Sequence, residues 1–202
     1  MAGGDERWVF DRCAGHLALD FANTVSDRHT DAPIERLPTY GDLVAFGLQC
    51  ALVTRRDARR LEEWGRRHPK DAAAVLRAAQ ALRDALYRVF FAACRGEHAA
   101  PPDLAVVNAA IARVRLGETL AWEWAAGPDA PDALLLPVVR AATELLASPD
   151  ERARVRVCEA PDCVWLFWDT SKNRTRRWCD MKVCGNRMKA RRFYERHHDG
   201  GG

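Results

Sequence analysis

The sequence predicts a mainly α-helical protein with a few short β-strands, followed by a small cysteine-rich module at its C-terminal end. Three observations predict this. Apolar residues recur at intervals of three and four through much of residues 54–147. Asx, Thr, Pro and Gly residues punctuate the ends of those stretches, where helices need caps and stops. Four cysteines, Cys158, Cys163, Cys179 and Cys184, form two C-x4-C pairs 15 residues apart. At 202 residues, 48% hydrophobic and 29% charged, the chain is long and apolar enough to bury a core.

Taken in order, Trp8-Val9-Phe10 is strand-prone and is expected to pair with a later strand. Leu17 to Thr24 is an apolar stretch interrupted by Asp20 and Asn23. Buried polar groups need partners or a cavity. Both residues are therefore candidates to bind a small-molecule effector or to line the interface with the C-terminal module; the plainer reading is that they cap a helix or order a turn. Thr54 is placed to cap a helix through Arg67 with Leu61 and Trp64 inward, ended by Pro69. Asp71 is placed to cap a long helix to Arg95, with Val75, Ala79, Leu82, Leu86, Val89, Phe90 and Ala93 on one face and Gly96 closing it. Asp103 is expected to cap a helix holding Leu104, Val107, Ile111 and Val114. Leu120, Trp122 and Trp124 alternate with smaller or polar residues, the period of a strand. A last helix is expected from about Pro137 to Ala147, with Pro137 in the first turn, where its missing N–H costs nothing. The polar, Pro-containing segment Ser148–Arg152 marks a boundary. The predicted organisation is a helical domain over residues 1–150, a C-terminal module over residues 151–198 and a disordered Gly-rich tail over residues 199–202.

Two short Cys loops around an intervening finger are the usual way to supply four thiolates to one structural zinc ion, although a four-residue gap lies at the long end of the usual range. Disulfides and an iron–sulfur cluster are the alternatives. The odd total of seven Cys and the lack of a secretory-type start favour a reducing, cytoplasmic setting. Val155 and Val157 form an approach strand. Val164 to Trp168, a turn over Asp169–Asn173, and Arg174 to Trp178 read as a β-hairpin. After Cys184, Met188 to His198 contains no Gly or Pro and reads as a helix. Knuckle, hairpin and helix make a treble-clef-like zinc finger, with Ala190, Phe193, Tyr194 and His197 forming a stripe expected to pack on the hairpin. About 45 residues fold on their own only when a metal replaces most of a core. Cys13, Cys50 and Cys94 are isolated and are expected to be inert buried thiols, since a redox sensor would need a partner.

The overall charge of +3 conceals a basic end: residues 151–198 hold 13 Lys and Arg against 6 Asp and Glu, and the remainder 18 against 22. Arg outnumbers Lys there by 10 to 3, and Arg grips phosphate and guanine edges bidentately. Arg174, Arg176, Arg177, Lys182, Arg187, Lys189, Arg191, Arg192 and Arg196 are the candidate DNA contacts. The alternatives are a solvated face or a protein-binding one. A single finger covers little duplex, so a homodimer or a second contact from the amino-terminal domain would supply the remaining affinity.

The run Cys179-Asp180-Met181-Lys182-Val183-Cys184-Gly185-Asn186-Arg187, continued by Met188 to Tyr194, resembles the CGNR zinc-finger family. Cys158-x4-Cys163, Asp169-Thr170-Ser171 and Arg176-Arg177-Trp178-Cys179 fit the same pattern, with Trp165 and Trp168 in the strand between them. Leu17-Ala18-Leu19-Asp20-Phe21-Ala22-Asn23-Thr24 resembles the opening of the ABATE domain that precedes such fingers. The resemblance implies a bacterial, stress-linked transcription regulator with an amino-terminal sensor or regulatory domain and a DNA-binding finger; an interaction module without nucleic acid is the alternative. No catalytic motif of the H-E-x-x-H, G-x-G-x-x-G, P-loop or G-x-S-x-G type occurs, so no enzymatic activity is expected. No apolar run approaches the roughly 20 residues that span a bilayer, so no membrane association is expected.

Overall fold

The chain is organised around one long helix, α4 (Pro69–Cys94), in a computed structural model that describes residues 8–198. Of the residues of α4 expected inward, Ala79, Leu82, Leu86, Val89 and Phe90 are buried, with Ala85 beside them, while Val75 and Ala93 near the two ends are half-buried. The helix begins two residues before Asp71. Pro69 takes the first position and His68 the cap, because Pro is preorganised for a turn whose N–H needs no partner. Its end is a Schellman arrangement: Gly96 at φ +70° lets Gly96 N bond Ala93 O (3.2 Å) and Glu97 N bond Ala92 O (2.9 Å).

Helix α3 (Arg55–Arg67) starts at Thr54 as expected, whose hydroxyl accepts the Asp57 N–H at 3.2 Å. Helix α5 (Pro101–Ile111) starts earlier than expected, with Ala100 at its cap. Asp103 lies inside its first turn and instead receives the Arg88 guanidinium of α4 at 2.6–3.0 Å. Val114 is not helical. It opens β3 (Val114–Leu116), which pairs antiparallel with β4 (Trp122–Trp124). Trp8-Val9-Phe10 therefore does not supply the partner strand. Phe10 inserts into the core against Phe46, ring centroids 5.3 Å apart. A 3₁₀ turn over Ala133–Leu135 leads into α6 (Leu136–Ala147), with Pro137 in the first turn as expected. The boundary segment coils into a short helix, α7 (Pro149–Arg152), capped by Ser148.

Two further helices complete the bundle. The short α1 (Leu17–Ala22) is almost wholly apolar and carries no readable period, and Ala18, Leu19, Phe21 and Ala22 are fully buried. A capping box between Thr39 and Asp42 opens α2 (Tyr40–Gln49), in which Gly41 and Gly47 mask the helical pattern. A two-stranded pair, β1 (Val25–Ser26) with β2 (Ile34–Glu35), is tied to α4 by the buried Arg83, which reaches Glu35 at 2.5 Å and Asp84 at 3.0 Å.

The C-terminal module is seated on this bundle by backbone hydrogen bonds. Its strand β5 (Val155–Val157) pairs antiparallel with β6 (Leu166–Trp168). Asn23, just past α1, acts as an extra strand residue: its amide donates to Leu166 O at 2.8 Å and accepts Leu166 N at 3.0 Å. Trp168 N bonds Ala14 O at 2.8 Å, and the Tyr87 hydroxyl of α4 donates to Val164 O at 2.8 Å. Leu166 and Phe167 are fully buried in the same apolar cluster as α1, α4 and α6. The hairpin expected between Val164–Trp168 and Arg174–Trp178 does not form. The approach strand Val155–Val157 takes that pairing edge, and Arg174–Trp178 runs without a ladder.

Asn23→Ala removes the one side chain that satisfies both buried backbone groups of Leu166. The substitution is expected to destabilise the zinc-loaded protein by about 2 kcal/mol, read as a lowered urea midpoint.

Candidate metal centre

The four predicted ligands converge. Cys158 follows β5, and its N–H bonds Trp165 O at 2.8 Å. Cys163 closes the first loop with its N–H on Ala160 O at 2.9 Å. Cys179 ends the irregular segment after β6. Cys184 sits in a widened π-helical turn, Met181–Gly185, that leads into α8 (Asn186–His198). Asp180 caps this turn by accepting the N–H groups of Lys182 (2.5 Å) and Val183 (3.0 Å). Gly185 lets Met181 and Trp178 close over this turn: a Cβ there would lie 2.5 Å from the Met181 sulfur and 3.1 Å from a Trp178 ring carbon and would displace the Met side chain.

All four Sγ atoms lie within 4.8 Å of one another, with Cys163–Cys179 and Cys179–Cys184 each at 3.6 Å. Zinc–sulfur bonds of about 2.3 Å in a tetrahedron put the sulfurs about 3.8 Å apart, so the geometry fits one zinc ion. The acid–base balance agrees. Hydrogen bonds from Cys163 and Cys179 hold the Cys158 thiol well below the usual range, Cys158 pushes Cys163 up to about 12, and burial raises Cys184. Cys179 is raised strongly by its hydrogen-bonded sulfur neighbours, Cys13 first. Only a dication lets four such sulfurs ionise together. The surround favours thiolates: Cys179 N donates to the Cys158 sulfur at 3.4 Å, and Arg187 reaches the Cys184 sulfur at 3.5 Å. Arg187 also pairs with Asp162 at 2.9 Å, tying the second knuckle to the first loop. Four thiolates close the shell, so one structural zinc ion belongs here.

The nine predicted cationic contacts separate by environment. Arg176 turns inward: Nε donates to Trp178 O at 2.8 Å, Nη2 donates to Cys13 O at 2.9 Å and to Cys179 O, and the group lies 4.7 Å from the Phe167 ring centroid. Its own N–H and that of Ser171 go to the fully buried carboxylate of Asp169, at 3.0 and 2.9 Å. Arg177 pairs with Glu159 (2.6 Å), Arg187 with Asp162 and Arg191 with Glu195 (2.9 Å). Arg174, Lys182 and Lys189 are exposed and carry no ion pair among the described residues; Arg192 is exposed too. The side chain of Arg196 lies outside the described residues, as does the tail at 199–202.

The apolar stripe of the last helix does not pack on a hairpin. Met188 touches the core, but Ala190 is exposed, and Phe193 and Tyr194 are 51% and 63% exposed. Among the described residues the Phe193 ring contacts are with its helical neighbours Tyr194 and His197, its ring centroid 4.0 Å from that of His197. With no hairpin beneath it, α8 stands off the body.

Asp20 accepts the Ala14 N–H at 3.0 Å, and burial pushes its carboxyl up to about 6. Asn23 is occupied by Leu166 and serves the seam between domain and finger. Sequence reasoning missed Cys13, whose carbonyl oxygen shares the Arg176 guanidinium with that of Cys179. No spacing rule joins residues so far apart along the chain, and only the fold reveals the contact.

Cys184→Ser is expected to abolish tight zinc binding, and Arg187→Ala to weaken it about tenfold, in competition with a chromogenic chelator. The folded protein holds the Asp20 proton more tightly than the unfolded chain, so this carboxylate costs stability above about pH 6. The cost is relieved as pH falls from there toward the unfolded value of about 4. Asp20→Asn should therefore stabilise the zinc-loaded protein by on the order of 1–3 kcal/mol at pH 7.5, with the gain shrinking by pH 5 in paired thermal melts.

Comparison with known families agrees with this architecture. The model of the CGNR zinc finger matches residues 154–197, the segment that holds all four cysteines. The model of the ABATE domain, described as "Putative stress-induced transcription regulator", matches residues 15–149, the helical bundle beneath it. No curated protein matches the chain. Bundle and four-thiolate centre together place the chain in the ABATE family, with a CGNR zinc finger at its C-terminal end.

Proposed function

We propose that the protein is a cytoplasmic transcription regulator that contacts duplex DNA through its finger and receives its signal, a small-molecule effector among the candidates, through the ABATE domain. The observation that carries this reading is the stance of α8. The helix leaves the zinc centre with Lys189, Arg191 and Arg192 exposed along it, while Arg174 and Lys182 are exposed nearby on the finger. Exposed cations on a helix projecting from a rigid anchor suit phosphate contact, which gains free energy by releasing counterions. Arg176 is left out of the contact set because its guanidinium holds the finger together. Arg177, Arg187 and Arg191 would exchange acidic partners for phosphates. One finger is small for useful affinity, so a homodimer would double the contact. We assign no catalytic role: a closed four-thiolate shell offers no open position to a substrate.

A second reading rests on Phe193 and Tyr194. Two aromatic rings exposed beside basic residues also suit a protein partner, with the finger as an interaction module.

Fluorescence anisotropy of the zinc-loaded protein with duplex DNA between about 50 and 200 mM salt separates the two. Under the first reading binding is salt-steep, and Lys189→Ala or Arg192→Ala each weakens it and lowers the slope by about one. Absence of binding at the lowest salt sinks it and leaves the interaction module.

A further inference from the structure

Basic charge is not confined to the finger. Residues 55–70 hold 7 Lys and Arg against 3 Asp and Glu, while the rest of residues 1–150 holds 11 against 18. All but Lys70 of these cations are arginines of α3, a helix that contains no lysine. Ala58 and Leu61 turn inward, and Arg55, Arg56, Arg59, Arg60, Arg66 and Arg67 are all exposed. Nearby carboxylates answer only part of this charge. Glu63 pairs with Arg67 at 3.2 Å, and Arg60 is held by Asp57 at 3.8 Å and by Asp129. Arg55, Arg56, Arg59 and Arg66 carry no ion pair among the described residues.

This distribution works against the helix itself. Arg55 and Arg56 stand in the first turn, where the helix dipole favours anions, and Arg55–Arg59 and Arg56–Arg60 are like-charge pairs one turn apart. A polyanion laid along the face reverses both costs. We propose, on the reading that the protein binds duplex DNA, that the exposed face of α3 is a second contact with the phosphate backbone, separate from the finger. At about 100° per residue, Arg55, Arg59 and Arg66 fall within about 40° of one another, and the stripe they form runs about 16 Å along the helix. One strand of duplex presents a phosphate about every 3.4 Å of axis, so the stripe spans about five of them.

The chemistry of the face selects this partner. It exposes no apolar side chain: Leu61 is buried, and Trp64 is half-buried against Tyr40, ring centroids 5.5 Å apart. A helix lying on a membrane needs an apolar face to insert, and a protein interface needs an apolar centre. Arg in place of Lys throughout suits bidentate capture of phosphate oxygens. Helix α3 packs on the opening of α4, where Gly65 lies against Ala72, whereas the finger meets α4 at Tyr87. About 22 Å of helix separates the two places, so substitutions on the α3 face leave the zinc centre untouched.

The test is fluorescence anisotropy of zinc-loaded full-length protein with duplex DNA across about 50 to 200 mM salt, comparing a variant that carries Arg55→Gln, Arg59→Gln and Arg66→Gln with Lys189→Ala and Arg192→Ala on α8. The α3 variant is expected to bind at least about tenfold more weakly at the lowest salt and to lose about two to three from the salt slope, with zinc content unchanged. Relief of like-charge repulsion should hold its thermal midpoint at or above that of the wild type. Weakening by the α8 substitutions alone overturns the α3 contact and leaves the finger's role standing. Weakening by the α3 variant alone does the reverse, and absence of duplex binding overturns both. Phenylglyoxal labelling of the wild-type protein with peptide mass mapping needs no variant: bound duplex should protect Arg55, Arg59 and Arg66, and equal labelling with and without it overturns the proposal. So does sedimentation with phosphatidylserine vesicles that the α3 substitutions abolish while duplex binding is unchanged.

Discussion

Four sulfurs within 4.8 Å of one another cannot all carry charge unless a dication sits among them, and the finger is built around that constraint. The two knuckles have no strand pairing with each other. They meet through thiols, through the Arg187–Asp162 and Arg177–Glu159 pairs and through the Glu159 N–H on Arg177 O. Gly185, the Asp180-capped turn and the start of α8 all take their places from the requirement that Cys184 reach the other three.

The metal does not replace the core outright, because the finger borrows one. Leu166 and Phe167 extend the apolar cluster of the bundle, and Asn23 extends the ladder of β6 across the seam. Asp169, buried beneath Arg174–Trp178, organises that irregular segment with two backbone N–H groups, doing locally what a second hairpin strand would have done. Bundle and finger, read as separate domains in the sequence, therefore share hydrophobic contacts, and disturbance at the metal is felt at α1.

Much of this was legible in the residues. The spacing of the cysteines located the ligands, and the apolar periodicity located α3, α4 and α6, because both signals are local and repeat. Helix α1 was not readable, since six nearly all-apolar residues have no period to show, and α2 was hidden by two glycines. Asp103 had the chemistry of a cap, but Pro101 starts that helix and Arg88 claims the carboxylate. The wrong hairpin and the inward turn of Arg176 have one cause: a strand edge, like a guanidinium, takes whichever partner the tertiary structure brings nearest. The Arg176 bridge between the carbonyl oxygens of Cys13 and Cys179 joins distant parts of the chain, which no local pattern encodes.

Helix α8 spans 13 residues, and beyond Met188 it has little tertiary packing. Helices of that length are marginal in water, so its order is inherited from the turn at Cys184 and fades with distance from it. The zinc centre thus acts as a nucleation point. Side chains in the first turns are presented at almost no entropic cost, whereas those near the far end must be ordered at the moment of contact. A partner reading the whole helix would pay for its last turns out of its own binding energy, and would respond to metal loading as a change in how much folding it has to perform.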